Sequence, residues 1–256
     1  MKARTNSGNF FVNFNPAMSE VQAGGLVFDS NGFTATATNS LDGVGALTKN
    51  GNGTLALTAA NTYMGGTVIN TGTLNVNATA ALGNVAGGVA INNNAILQAA
   101  APVTTDRTIT LGAVGGKIDT NGQTVTLDTA STVTGTTLTV ADTAGGGVMN
   151  IKGTQTYDAL ITAGGVTNIY TALGTGTSTI TANATLNIYA SQTLGSLDIA
   201  DGVEVTFGDG MPFAPVPPKL SAPFGGGGAG LVPEPGSLGL LMVGALGFIA
   251  RRRRSR

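Results

Sequence analysis

The chain has 256 residues, 40 of them Gly, with only 10% charged and 5% aromatic residues and no Cys, His or Trp. No disulfide framework, thiolate metal site or histidine base is available, and charge is too sparse for a disordered polyelectrolyte or a basic nucleic-acid-binding face. The net charge of −1 conceals an asymmetry, because five of the 12 basic residues are Arg251, Arg252, Arg253, Arg254 and Arg256, leaving seven basic against 13 acidic residues in the rest.

Residues 1–23 open with Lys2 and Arg4, but Asn13, Asn15 and Pro16 interrupt the apolar residues Phe10, Phe11, Val12 and Phe14. A secretory signal needs an unbroken apolar stretch of about 7–15 residues, so this segment does not read as one. It is expected to be internal to a longer protein.

From residue 24 to residue 209, short segments alternate apolar residues with Thr or Asn. They are Phe33–Thr38, Thr54–Thr58, Thr73–Asn77, Val89–Ile91, Thr108–Leu111, Thr124–Asp128, Thr137–Val140, Val166–Tyr170, Thr185–Tyr189 and Glu204–Phe207. Period-two alternation predicts half-buried strands. Asn31-Gly32, Asp42-Gly43, Asn121-Gly122, Asp201-Gly202 and Asp209-Gly210 supply turns between them. A sandwich explains this alternation as well as a solenoid does. Repetition separates the two, because Gly53-Thr54-Leu55-Ala56-Leu57 returns as Gly72-Thr73-Leu74-Asn75-Val76 and again as Ala184-Thr185-Leu186-Asn187-Ile188. A phrase repeated at about 20 residues is one coil of a β-solenoid. Each coil then stacks its inward aliphatics on the next, and Thr and Asn ladder along the outside.

Over residues 47–77 the chain reads LTKNGNGTLALTAANTYMGGTVINTGTLNVN. Lys49, Gly51, Gly53, Thr54, Leu55 and Leu57, then Asn61, Tyr63, Gly65, Gly66 and Thr67, then Gly72, Thr73 and Leu74 resemble the autotransporter-associated β-strand repeat. The resemblance implies an all-β fold, a right-handed parallel β-helix, in a secreted surface protein. Residues 80–209 resemble it only as degenerate coils, and the outer-membrane barrel of autotransporters has no counterpart in the residues after the repeats.

Residues 210–232 gather Pro and the Gly225–Gly228 tetrad, a composition that builds no core and reads as a linker. The tail 233–256 follows. Gly236–Ala250 is an uncharged, largely apolar run, expected to be a transmembrane helix. At about 1.5 Å per residue it falls short of a ~30 Å hydrocarbon core, and snorkelling arginines make up part of the difference. The basic cluster Arg251, Arg252, Arg253 and Arg254 would stop translocation and keep this end cytoplasmic. Pro233, Glu234 and Pro235 precede the run, and the two prolines hold that triplet extended. The triplet, apolar run and terminal arginines together resemble the PEP-CTERM sorting tail. The resemblance implies an exosortase-like membrane protease as partner, processing near Pro233-Glu234-Pro235, a Gram-negative-type envelope, and a product that is membrane-anchored and then at the cell surface or in the extracellular matrix.

Enzymatic readings find little support in the residues. Only Asp198, Asp201 and Glu204 cluster, and they read as the rim of a solvated turn. A glycosidase needs two carboxylates about 5–10 Å apart in a cleft. Arg107 is the sole arginine between Arg4 and the tail. No calcium loop, phosphate loop or nucleophile elbow is present, so no catalytic residue, metal or cofactor is expected. The sequons at Asn52, Asn77 and Asn183 are what chance provides in a Thr- and Asn-rich chain. The expectation is an exported, non-enzymatic surface or biofilm-matrix β-helix, with exopolysaccharide a candidate contact. The alternatives are a fragment of a carbohydrate-active β-helix lyase or hydrolase, and an autotransporter passenger-like adhesin.

Overall fold

The computed structural model describes residues 1–8, 20–174 and 177–208, and the backbone of Met211–Pro212. The described chain winds as a parallel β-solenoid with three sides. The first side stacks Leu26–Asp29, Leu47–Asn50, Thr67–Ile69, Val89–Ile91 and Thr108–Leu111. The second stacks Thr34–Ala37, Thr54–Leu57, Thr73–Val76, Ile96–Ala99 and Gly116–Asp119, and further up Thr179–Ala182 and Ser196–Ile199. Two long strands, Thr132–Ala141 and Thr154–Thr162, run along both sides and join them into one 14-stranded sheet. A separate 7-stranded sheet forms the third side from Val103–Thr105, Thr124–Leu127, Val148–Ile151, Val166–Ile169, Thr185–Ile188 and Val205–Phe207, ending on Met211–Pro212. Among the described strands only that final pairing is antiparallel.

The pairing register shows why the repeated phrase is heard in the sequence. Leu55 pairs with Leu74, Leu74 with Leu97, Leu97 with Ile118 and Ile118 with Val140. All five are buried, so the core is a column of stacked aliphatics running along the axis. The step from one coil to the next is not constant: it is short from Thr179 to Ser196 and long from Thr124 to Val148. Added or missing residues are absorbed at the corners, while inward positions keep their alternation along each strand. At the corners Asn31-Gly32 and Asn121-Gly122 both adopt positive φ at their two residues, a conformation that Asn and Gly accept at low cost. Ahead of residue 24, single bridges join Lys2 to Asp29, Ser7 to Ala35 and Glu20 to Asp42. That segment therefore touches all three sides of the coil above it.

The third side changes character along the axis. In the coils built on Leu47–Asn50 and Thr67–Ile69 it is irregular chain, including the 3-10 turn Thr79–Leu82. From Val103 onward it is sheet. A small apolar cavity of about 20 Å³ sits at this changeover, lined by Leu82, Leu97, Val103, Ile109, Ile118 and Val125 among others.

The predicted strands are found within a residue or two except Thr137–Val140, which is the end of the longer strand Thr132–Ala141, and several strands carry no alternating signal. Leu47–Asn50 points Leu47 and Lys49 inward, and Gly116–Asp119 buries both Ile118 and Asp119. A charged residue buried inward, as at Lys49, or covered on the outer face, as at Asp119, hides the period. The linker from residue 213 on and the apolar run 236–250 lie outside the described residues. Among the described residues, no helix is long and apolar enough to cross a membrane.

Candidate functional site

The residues shared with the repeat pattern are stitched between coils. Lys49 is fully buried. Its ammonium donates to the Ser30 hydroxyl of the coil below (3.0 Å), to the carbonyls of Asn50 (3.0 Å) and Gly51 (2.8 Å) in its own coil, and to the Thr71 carbonyl of the coil above (3.1 Å). Burial pulls its pKa down to about 8, against the opposing pull of Asp29. Asn61 accepts from the Leu41 amide (2.7 Å) and donates to the Ala81 carbonyl (2.5 Å), again spanning neighbouring coils. Tyr63 fills the irregular third side and hydrogen-bonds the Thr67 hydroxyl at 2.7 Å. Burial raises its pKa to about 12, in spite of the Thr67 hydrogen bond and the nearby positive charge of Arg107. Gly65 leaves no room for a side chain, since a Cβ there would sit 2.5 Å from the Ala46 nitrogen. The repeat pattern thus encodes coil-to-coil fastening.

Of the other charged side chains, Arg107, Asp119 and Asp142 are committed to hydrogen bonds within the solenoid. Arg107 is buried and donates to the carbonyls of Thr79, Gly83, Asn84 and Gly87, capping the turn that contains the 3-10 segment. Burial lowers its pKa, opposed by Tyr63 and Asp106. Asp119 accepts from the amides of Asn121 and Thr143, the Thr143 hydroxyl and the Gln98 side chain. Asp142 accepts from the amides of Gly122 (2.6 Å) and Gly147 (2.8 Å). Burial pushes Asp142 up, but these amides, with Thr120 and Gly145, outweigh it and hold its pKa below the usual carboxylate range. Asp198, Asp201 and Glu204 are exposed on the last strand of the second side and the turn after it. Among the described residues, no group of three or more His, Cys, Asp or Glu is placed to hold a metal ion.

Outward-facing side chains form ladders, as the sequence led one to expect. On the third side Asn168 donates to Asn150 (2.9 Å) and Asn187 to Asn168 (2.8 Å), with Thr126 and Thr206 at the two ends. Asn50, Asn70 and Asn92 form a second ladder, each step 2.9 Å. Asn75, Gln98 and Asp119 form a third.

Sequence reasoning missed one column. Two positions after each third-side asparagine stand Lys152, Tyr170 and Tyr189. The tyrosine rings stack with centroids 4.8 Å apart and planes 10° from parallel. The Lys152 ammonium lies 5.9 Å from the centre of the Tyr170 ring. The signal was present as VTNIY and TLNIY, one coil apart, where Asn and Tyr share one face of the strand.

The sorting residues Pro233, Glu234 and Pro235 and the arginines 251–254 lie outside the described residues. The family comparisons bear on them directly. Residues 231–254 match the PEP-CTERM protein-sorting motif, and residues 47–76 match the passenger-associated-transport-repeat. The chain is also similar to the adhesin BmaC autotransporter of Brucella suis biovar 1, at 40% identity over 77 residues. That stretch is 30% of this chain and 2% of the adhesin, so this chain spans a very small part of that relative. No solved structure matches the chain. The repeat resemblance therefore stands on the coils that Lys49, Asn61 and Tyr63 fasten, and the chain carries both a passenger-associated-transport-repeat and a terminal PEP-CTERM protein-sorting motif.

Proposed function

We propose that this protein is an exported, non-enzymatic surface or extracellular-matrix β-helix, delivered by its tail and cut by an exosortase-like membrane protease. The observation that carries the reading is the conjunction of a parallel β-solenoid with the sorting motif at residues 231–254. Each part has a physical task. The apolar run 236–250 parks the chain in the membrane, Arg251, Arg252, Arg253 and Arg254 hold it there, and Pro233-Glu234-Pro235 marks the place for the protease. Cleavage near Pro235 then releases a stiff column whose exterior is Thr and Asn. The non-enzymatic reading is supported by the use of Arg107, Asp119 and Asp142 as backbone anchors. The 77-residue similarity to an adhesin favours a second reading in which the released column acts in attachment.

The test is mass spectrometry of the C-terminus of protein recovered from its native envelope and medium. A terminus near Pro235 is expected, with Pro233→Ala/Glu234→Ala protein retained uncut in the membrane. Recovery of Arg256 in the mature protein, or normal trimming of the variant, would refute sorting by this route.

A further inference from the structure

The outward face of the third side has the parts of a linear carbohydrate site. Its middle column is the ladder Asn150, Asn168, Asn187. Each amide uses one N–H and one oxygen lone pair along the ladder. A carboxamide offers two donors and two acceptor sites, so each of these three coils still presents one donor and one acceptor to a ligand. The ladder bonds fix the side chains beforehand, so a ligand does not have to freeze their rotamers.

Beside this floor runs a wall. Residues two apart on a strand are about 6.6 Å apart on the same face, which places Lys152, Tyr170 and Tyr189 one step from the asparagines. The two tyrosines are 45% and 44% exposed, although stacking on each other already covers part of each ring. They therefore project beyond the strand surface as an aromatic ridge parallel to the axis. On the other flank of the ladder, Val148, Val166 and Thr185 are short.

We propose that this face binds an extended, uncharged β-linked polysaccharide lying along the solenoid axis. The amides would pair with its hydroxyls, and the exposed edges and hydroxyls of the stacked tyrosines would line its flank. The chemistry selects this ligand over others. The floor carries no charge, and Lys152 is the one cation in these three columns, which does not suffice for a nucleic acid or another polyanion. No large apolar side chain lies on the floor to anchor a protein interface. Rungs of the sheet recur every ~4.8 Å, and an extended β-1,4-linked glycan advances by about that distance per sugar, so successive sugars meet equivalent amides. An α-linked helical glucan does not keep this register. The proposal deepens the matrix reading by naming the ligand class, but it concerns the folded body alone and does not depend on how the tail is processed.

The experiment is a titration of the purified full-length protein with cellohexaose, xylohexaose and maltohexaose, followed by tyrosine fluorescence and by NMR. The chain has no Trp, so its intrinsic emission reports tyrosine. Saturable binding of a β-linked hexasaccharide is expected, and weaker or absent binding of maltohexaose. Tyr170→Ala/Tyr189→Ala should weaken binding about ten-fold or more, as should Asn168→Ala. Asn75→Ala, which cuts a ladder with no aromatic wall, should leave binding unchanged. Thermal melts of each variant separate lost binding from lost folding. The proposal is overturned if neither β-linked ligand binds, if maltohexaose binds equally well, or if folded Tyr170→Ala/Tyr189→Ala protein binds like the parent. Envelope mass spectrometry can fail while this titration succeeds, and the converse, so the two ideas fall separately.

Discussion

The ammonium of Lys49 reaches the carbonyl of Thr71, 22 positions later in the chain and one coil further along the axis, at 3.1 Å. With its bonds to Ser30 and to the carbonyls of Asn50 and Gly51, one side chain clamps three successive coils at a single corner. The corner gathers one hydroxyl and three carbonyl oxygens, and the N–H groups of this side chain satisfy them where water does not reach.

Replacing this lysine should therefore be costly. Lys49→Met keeps the aliphatic stem but leaves those acceptors without the ammonium, and we expect a loss of about 3 kcal/mol. The pH dependence has a definite sign. The folded pKa, about 8, is below the ordinary lysine value of 10.5, so between these values the unfolded chain binds more protons than the folded one. Stability from this group rises as pH increases through that window. Urea melts at pH 7 and pH 10 should show the gap between parent and Lys49→Met widening at the higher pH.

Arg107 performs a related task higher up. Its guanidinium serves the carbonyls of Thr79, Gly83, Asn84 and Gly87. Arg107→Lys keeps the charge but not the planar fork of donors, so it should not rescue the site. Both Arg107→Lys and Arg107→Met are expected to lower stability, by roughly 2 and 3 kcal/mol, measured as a shift in the denaturation midpoint with an unchanged slope.

Two buried tyrosines should respond in opposite ways to loss of a hydroxyl. Tyr63 bonds Thr67 at 2.7 Å, and Tyr63→Phe should cost about 1 kcal/mol. The Tyr157 hydroxyl is buried with no hydrogen-bond partner among the described residues, and desolvation raises its pKa strongly. Tyr157→Phe removes that unpaired group, so it should be neutral or stabilising by up to about 1 kcal/mol. Melting temperatures of the two variants, measured side by side, check the contrast.

Much of this architecture was legible because solenoid coils repeat their local rule. Leu55 and Leu74 announce each other in the sequence, and they pair in the structure. What stayed hidden was of two kinds. Strands such as Leu47–Asn50 place a charge inward, so a period-two reading discounts them, and only the carbonyl cage around Lys49 explains why it sits there. The column of Lys152, Tyr170 and Tyr189 depends on register between coils of unequal length. Such inequality blurs the alignment until the pairing is known. Arg107 could be noticed as an isolated arginine, but its capping role depends on a turn folded 20 to 28 positions earlier.

The changeover on the third side has a mechanical consequence. In a solenoid each coil is supported by its two neighbours alone, so resistance to pulling or to proteolysis is set by the weakest junction. Below Val103 the third side is irregular and its backbone lacks a continuous ladder, and the cavity beside Leu82 and Val103 removes packing at the same level. A column tethered at one end and loaded at the other would depend at this level on the Arg107 guanidinium and its carbonyl partners. Without those bonds the upper segment of the column, where the third side is continuous sheet, would remain wound after the lower coils had peeled away.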